Sequence, residues 1–417
     1  MAREYKDSGI EWIGQIPKEW ECTCFKRFHN DANVGESIDK YFCSDNENDT
    51  LFYTAGLKPI HTTYKDFPTW KYTSNNDLLL ARNGTPYVYL PLPESIYSDH
   101  IIRVGIKEKY IREYARYCIQ QAISFVVVDA VSIATWSISL WDKQFLPIPS
   151  LHEQQKIVDY LDKVCGEVDE MVALQETMIE ELKAYKQSVI TEAVTKGLNP
   201  NVSMRNSGID WIGEIPEHWG MPAIGYLAKI TSGSTPDRNN PLFWNEGTVN
   251  WIKTGELQNN RLSCSEEKVT EYALNNTSIK LYPKDTILMA MYGQGKTRGM
   301  TALLDVPCTT NQACAALSIY NKNVNVLFLW KCLIGAYDAI RDKAVGTGQP
   351  NLNIDLISKF VIPLPPYNEQ AEIVAFIDEI VPQIDSLIAL KQAKIEELKE
   401  YKKSVIYEYV TGKKEVM

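Results

Sequence analysis

SGIEWIGQIPKEW at residues 8–20 returns as SGIDWIGEIPEHW at 207–219, with nine of thirteen positions identical. IEELKAYKQSVI at 179–190 returns as IEELKEYKKSVI at 395–406, with ten of twelve identical. An internal repeat constrains architecture before any single residue does. The first pair is displaced by 199 residues and the second by 216, so the ends of each half are copied while the middle of the second half is 17 residues longer. The chain reads as a duplicated frame carrying two dissimilar inserts.

A chain of 417 residues predicts several domains, at a soft prior of about 150 residues each. With 45% apolar and 11% aromatic residues it should bury sizeable cores. The opening MAREYKDSGI is too charged for a signal peptide. Asp129 and Lys331 interrupt the longest apolar stretches, which fall short of the ~20 residues of a membrane helix. A cytoplasmic chain is expected. The nine cysteines are scattered without a CxxC pair, and none of the five histidines has ligand spacing. Reduced thiols are therefore expected, without a disulfide framework or metal site.

The net charge of −10 argues against a strong nucleic-acid binder, but its distribution is uneven. Segments 151–197 and 367–417 carry −5 and −3, whereas the inserts 22–145 and 220–361 carry −1 and +3. The acid lies on the copied segments, so tight nucleic-acid binding would need positive charge from partner chains.

After LPIPSLHEQQ (146–155) and IPLPPYNEQ (362–370) both copies turn helical by pattern. Ile157, Leu161, Val164, Val168, Met171, Met178, Leu182, Tyr185 and Val189 alternate at four and three, a heptad seam. Ile373, Ile377, Ile380, Ile384, Leu387, Leu398, Tyr401 and Val405 repeat it. Two such helices in one duplicated chain are expected to pack antiparallel about a pseudo-two-fold axis. Gly166 and Pro382 hold matching positions, where a break or kink is expected. From there to the end of the seam is about 40 Å at ~1.5 Å per residue.

The inserts look mixed α/β. Strand-like runs cover Asp77–Ala81, Tyr97–Gly105 and Asp285–Met291. DLLLARNG (77–84) echoes DTILMAMYG (285–293), and SDH (98–100) echoes TNQ (310–312), which suggests one diverged fold. Divergent loops on a shared scaffold are where two specificities would sit.

AMYGQGKT (290–297) fits a loose Walker A pattern with Ala290 in place of the first glycine. A phosphate loop would put Lys296 on the β/γ-phosphates. However, Gly299 and Met300 stand where a helix should start. The better reading is a loop offering Tyr292, Gln294, Lys296, Thr297 and Arg298 to a polyanion; a solvated loop is the other. Lys253-Thr254, Thr310-Asn311-Gln312 and Gln349 with Asn351 suit base-edge hydrogen bonding, and equally serve turns. In the first insert the candidates are Arg82, Asn83, Thr85, Tyr87, Asp99 and His100. Asp99–His100 invites a catalytic reading, but no elbow motif supplies a nucleophile. No methyltransferase motif or paired-carboxylate nuclease signature is present, so the chain reads as non-catalytic.

The two SGI(E/D)WIG blocks, LPIPSLHEQQKIV and IPLPPYNEQAEIV, and the two EELKxYKxSVI helices together resemble the specificity subunits of type I restriction–modification systems. TPDRNNPLFWNEGTVNWIKTGEL (235–257) and LMAMYGQGKTRGMTALLDVPCTTNQACAAL (288–317) are similar to that family's target-recognition domains. The resemblance implies an α+β fold: two α/β target-recognition domains at 1–150 and 201–366, joined by long antiparallel coiled-coil spacer helices at 151–200 and 367–417. It implies that each insert reads half of an asymmetric, bipartite double-stranded DNA target, with the residues above as contacts. The helices would act as a ruler of about one turn of B-DNA. Two modification (methyltransferase) subunits would dock, and two restriction subunits could be added. S-adenosylmethionine, and ATP with Mg, would belong to those partners, leaving no cofactor in this chain. The first insert has VSIATW (131–136) where the second has VGTGQPN (345–351), so its contacts are less defined. A coiled-coil adaptor without DNA binding and an NTPase at 290–297 are the rival readings.

Overall fold

The computed structural model describes residues 3–126, 135–293, 295–345 and 350–416. The chain divides into two compact units, Met1–Glu176 with Gln392–Met417, and Thr177–Lys391.

In the first unit, β1 (Tyr5–Asp7) and β2 (Gln15–Pro17) form a short antiparallel ladder from the first repeat block. The insert follows with β3 (His29–Val34), β4 (Cys43–Ser44), β5 (Thr50–Tyr53), β6 (Ile60–Thr62), β7 (Asp77–Ala81), β8 (Val88–Tyr89), β9 (Ile96–Tyr97) and β10 (Ile101–Ile106). One sheet runs β3-β10-β7-β8 and the other β9-β5-β6-β4, with β9 and β5 parallel. DLLLA forms the central strand β7 because side chains alternate between two faces and both faces are covered. Leu78 and Leu80 point into a core shared with Tyr114, Cys118 and Ile119 of helix α1 (Arg112–Ile123). Leu79 and Ala81 point into a second core with Phe52, Phe67 and Tyr97.

The long helix α2 (Leu151–Lys196) follows, its first part belonging to this unit and the rest to the second. In the second unit, β11 (Met204–Asn206) and β12 (Glu214–Pro216) repeat the short ladder. The insert contributes β13 (Ala228–Ser232), β14 (Val249–Ile252), β15 (Asn260–Leu262), β16 (Glu267–Val269), β17 (Ile287–Ala290), β18 (Thr301–Leu304), β19 (Thr309–Thr310) and β20 (Cys314–Ile319). Its main sheet runs β13-β20-β17-β18-β15 and its smaller sheet β16-β14-β19, with β14 and β19 parallel. The first four strands of the main sheet repeat β3-β10-β7-β8 of the first unit. Ile287 and Met289 of β17 enter a core with Phe328, Leu329 and Leu333 of α3 (Val326–Gly335). Leu288 and Ala290 enter the opposite core. The echo of DLLLARNG in DTILMAMYG thus marks the same central strand, and the longer second insert includes the extra edge strand β15. The chain ends in α4 (Tyr367–Val410), shared between the units like α2.

The matching extends to single contacts within each unit. Gln154 accepts the N–H of Ile111 before α1 and donates to Pro149; Gln370 accepts the N–H of Asn325 before α3 and donates to Pro365. The indole of Trp20 donates to Glu153 and that of Trp219 to Glu369. A Cβ on Gly35 would lie 2.1 Å from the Tyr97 carbonyl oxygen, and one on Gly233 2.0 Å from that of Thr310. Glycine is required at both positions, because no larger residue permits so close a backbone approach.

Two expectations are corrected. Of the break or kink expected at Gly166 and Pro382, the break does not occur: α2 and α4 run through both positions. Proline removes one helical N–H but does not end a helix anchored on both sides, here by buried Ile377 and Ile384. The run Tyr97–Gly105 divides into β9 and β10, because the Asp99 N–H turns aside to the Glu36 carbonyl.

In the first unit α2 and α4 run antiparallel, with Tyr160 against Tyr409 and Lys402 bonded to Asp169 at 2.6 Å. In the second, Lys186 bonds Asp385 at 2.7 Å. The two ion pairs are copies of each other at the 216-residue offset. Ile157, Leu161, Val168, Ile373, Ile377, Ile384, Leu398 and Val405 of the seam are buried. Met171, Tyr185, Leu387 and Tyr401, although in the same apolar pattern, are exposed. A straight helix drifts by ~20° per heptad against a 3.5-residue repeat, which carries part of a seam out of contact.

Candidate functional site

Among the described residues, most of the polar residues picked from sequence fall on the rims of the two inserts. In the first unit the ends of β7 and β10 bring four of them together. Arg82 donates to the Asp99 carbonyl at 3.3 Å, and its own N–H bonds the His100 carbonyl at 2.8 Å. The Asn83 amide donates to His100 Nδ1 at 2.7 Å, which leaves Nε2 as the ring's N–H donor in the neutral form. Asp99 and His100 thus stand beside amide and guanidinium groups, with no hydroxyl or thiol nucleophile hydrogen-bonded to the ring among the described residues. Thr85 is exposed on the turn between β7 and β8. Tyr87 packs edge-on against Tyr89 and lines a separate cleft with Arg116 and Gln120.

The second unit has two clusters. A groove of about 570 Å³ lies at the end of β14, lined by Thr235, Arg238, Lys253, Thr254, Glu266 and Asn311 among others. Lys253 caps the turn after β14 and reaches Glu266 and Glu267 at 2.9 Å each. These carboxylates hold its ammonium above the ordinary lysine range. Asn311 is fastened by its N–H to the Ile252 carbonyl, and its side chain accepts from Ala313. Gln312 accepts from Thr235 at 2.5 Å. Thr310 is buried and its hydroxyl donates to Ile252, so it positions its neighbours and offers nothing to a ligand.

The second cluster is the loop between β17 and β18. Tyr292 and Lys296 are exposed. Thr297 packs over Gly293, and Arg298 donates to the Pro350 carbonyl. Tyr337 and Arg341 hold the loop from below by bonds to the Lys296 and Gly295 carbonyls. Asn351 pairs through its backbone with Val345. Gln294 and Gln349 lie outside the described residues, as does most of VSIATW. The loop joins two antiparallel strands, so the NTPase reading at 290–297 falls. A phosphate loop needs a helix N-terminus after the glycines, and here β18 follows.

Sequence reasoning missed Arg238, Trp244, Trp251 and the glutamates opposite them. The guanidinium of Arg238 stands 3.9 Å and 4.6 Å from the two indole centroids. The available signal was the density of aromatic and basic residues in 235–257.

Among the described residues, no helix is long and apolar enough to cross a membrane. A family model described as the type I restriction modification DNA specificity domain matches residues 216–400. The EcoR124I/EcoR124II specificity subunit of Escherichia coli is 26% identical over 252 residues, 58% of this chain and 57% of the relative. The chain therefore matches little more than half of that relative's length. The MjaVIII specificity subunit of Methanocaldococcus jannaschii is 24% identical over 355 residues, covering 82% of this chain and 79% of the relative. A solved structure described as the basis of complex assembly and conformational transition of the type I R-M system superposes with a TM-score of 0.70. It covers 95% of this chain and 98% of its own at 15% identity, a likeness of fold alone. Repeat blocks, family model and curated relatives point the same way: the chain is similar to type I restriction–modification specificity subunits.

Proposed function

We propose that this chain is the DNA sequence-specificity subunit of a type I restriction–modification complex, and that each insert reads one half of an asymmetric, bipartite duplex target. The observation that carries the reading is the division of labour within the units. Buried frame contacts repeat pair by pair, whereas the rims at matching strand ends do not. Arg82, Asn83, Asp99 and His100 stand on one rim; Lys253, Thr254, Asn311 and Gln312, with the loop of Lys296 and Arg298, stand on the other. Guanidinium, ammonium and amide groups on strand-end loops suit phosphate and base-edge contacts.

On this reading 1–150 and 201–366 are target-recognition domains, 151–200 and 367–417 are antiparallel coiled-coil spacers, and the two halves are related by a pseudo-two-fold axis. Six exposed apolar side chains support a docking role for the helices. Met171, Leu174 and Tyr185 of α2 correspond at the 216-residue offset to Leu387, Leu390 and Tyr401 of α4, and all are exposed. Equivalent exposed apolar side chains on two copied helices suit two copies of one partner, here the modification subunits. S-adenosylmethionine would sit on those subunits and ATP with Mg on restriction subunits, so this chain would contribute no catalytic group. The complex would work in the cytoplasm. The test is nuclease footprinting of the chain with its modification subunits on genomic duplexes. Two protected patches separated by an unprotected spacer are expected. No protection, with the partners bound, would favour the adaptor reading.

A further inference from the structure

The groove of the second unit contains two cations that the chain itself has already neutralised. Lys253 pairs with Glu266 and Glu267, and Arg238 pairs with Glu267. Glu256 lies beneath them, its two oxygens accepting the backbone N–H groups of Lys253 at 2.8 Å and Glu266 at 3.1 Å. Two cations thus face two carboxylates, while the third, Glu256, is taken up by backbone N–H groups. The cationic side is built to stay in place. Trp244 and Trp251 meet at 90°, and their indole N–H groups are tied to the Asp237 and Ser234 carbonyls at 2.9 and 3.1 Å. Arg238 lies in the corner between them, where leaving would forfeit two aromatic faces. On the acidic side Glu266 is loose, its side chain 71% exposed, whereas Glu267, in β16, is 32% exposed and spans both cations. Exposed ion pairs add little to fold stability, so fastening the groove is a poor account of these glutamates. Their effect on the groove's potential is direct.

We propose that Glu266 and Glu267 are specificity-determining residues: they occupy Lys253 and Arg238 in the free chain, so that duplex phosphate reaches these cations only once base contacts hold a strand in the groove. The inference rests on the DNA-reading proposal above. Sequence-independent binding is a phosphate–cation effect that falls with salt. Two pre-paired cations contribute little to it. Base-edge contacts from Asn311 or Thr254 are unaffected by the pairing and decide whether the strand stays. Once it stays, phosphates replace the carboxylates and the glutamates turn outward.

The test uses the full chain with its modification subunits and a mixed-sequence duplex of about 30 base pairs, titrated across a salt series. Glu266→Gln/Glu267→Gln is expected to bind this duplex about tenfold more tightly at low salt, with the slope of log K against log salt steeper by about 0.9 to 1.8. Glu372→Gln/Glu379→Gln removes the same charge from exposed positions of α4 and should give less than half that change. Adding Lys253→Gln to the groove variant should remove at least half of its gain. The inference is overturned if the groove variant binds like wild type, matches the α4 control, or keeps its gain without Lys253. Salt-dependent binding by wild type with an unchanged groove variant would defeat this inference alone. Absence of such binding by both would defeat the DNA-reading proposal and this inference with it.

Discussion

The two units are most alike where they are buried and least alike at their rims. Trp20 on Glu153 and Trp219 on Glu369 are one contact made twice, as are Gly35 under Tyr97 and Gly233 under Thr310. The strand ends above them present an Asn–His pair in one unit and a carboxylate-guarded Lys–Arg groove in the other. Buried contacts tolerate little change, because lost volume or an orphaned polar group costs several kcal/mol. Exposed rim side chains are free of that constraint, so two halves can keep one scaffold and differ in what they present.

The largest test of this comparison is paired truncation of the frame. Trp20→Ala and Trp219→Ala should each destabilise their own unit by about 3–5 kcal/mol, measured by chemical denaturation. Costs that differ severalfold would break the claim of equivalence. Rim variants should behave in the opposite way. Asn83→Ala and Asn311→Ala should each leave stability within about 1 kcal/mol yet weaken discrimination at a different half-site by about 1–3 kcal/mol, read from methylation of target libraries. A variant that weakened both half-sites would contradict independent reading. Lys402→Ala and Lys186→Ala should each cost only about 0.2–1 kcal/mol, since both remove a partly exposed ion pair.

Thiol chemistry gives the smallest effect. Burial pushes Cys314 up to about 12 and Cys22 up to about 11. At pH 8 these thiols therefore stay protonated and unreactive, whereas Cys43 and Cys264 are exposed, one in each unit. Iodoacetamide should label Cys43 and Cys264 first, and as the pH rises Cys22 should label before Cys314. Early labelling of Cys314 would contradict its place in the second unit's core.

Much of the scaffold was legible in the residues. The repeat blocks located the copied ladders and helices, and the apolar run of Asp77–Ala81 with its echo in 285–293 located both central strands. These features depend on periodicity and burial, which sequence carries directly. The site was less legible because it depends on long-range pairing. Nothing local reveals that the glycines of 293–299 serve a hairpin, that Thr310 spends its hydroxyl on Ile252, or that Glu267 reaches back to Arg238. Met171 and Leu387 sit in an apolar pattern that predicts burial, and their exposure emerges only from the packed helices.

The central claim, one scaffold and two independent readers, is tested most directly by exchanging insert 220–361 for that of another family member and mapping N6-methyladenine across the host genome. The account predicts a motif changed in one half-site, with the other half-site and the spacing between them intact. An unchanged motif, or one altered in both halves, would contradict it.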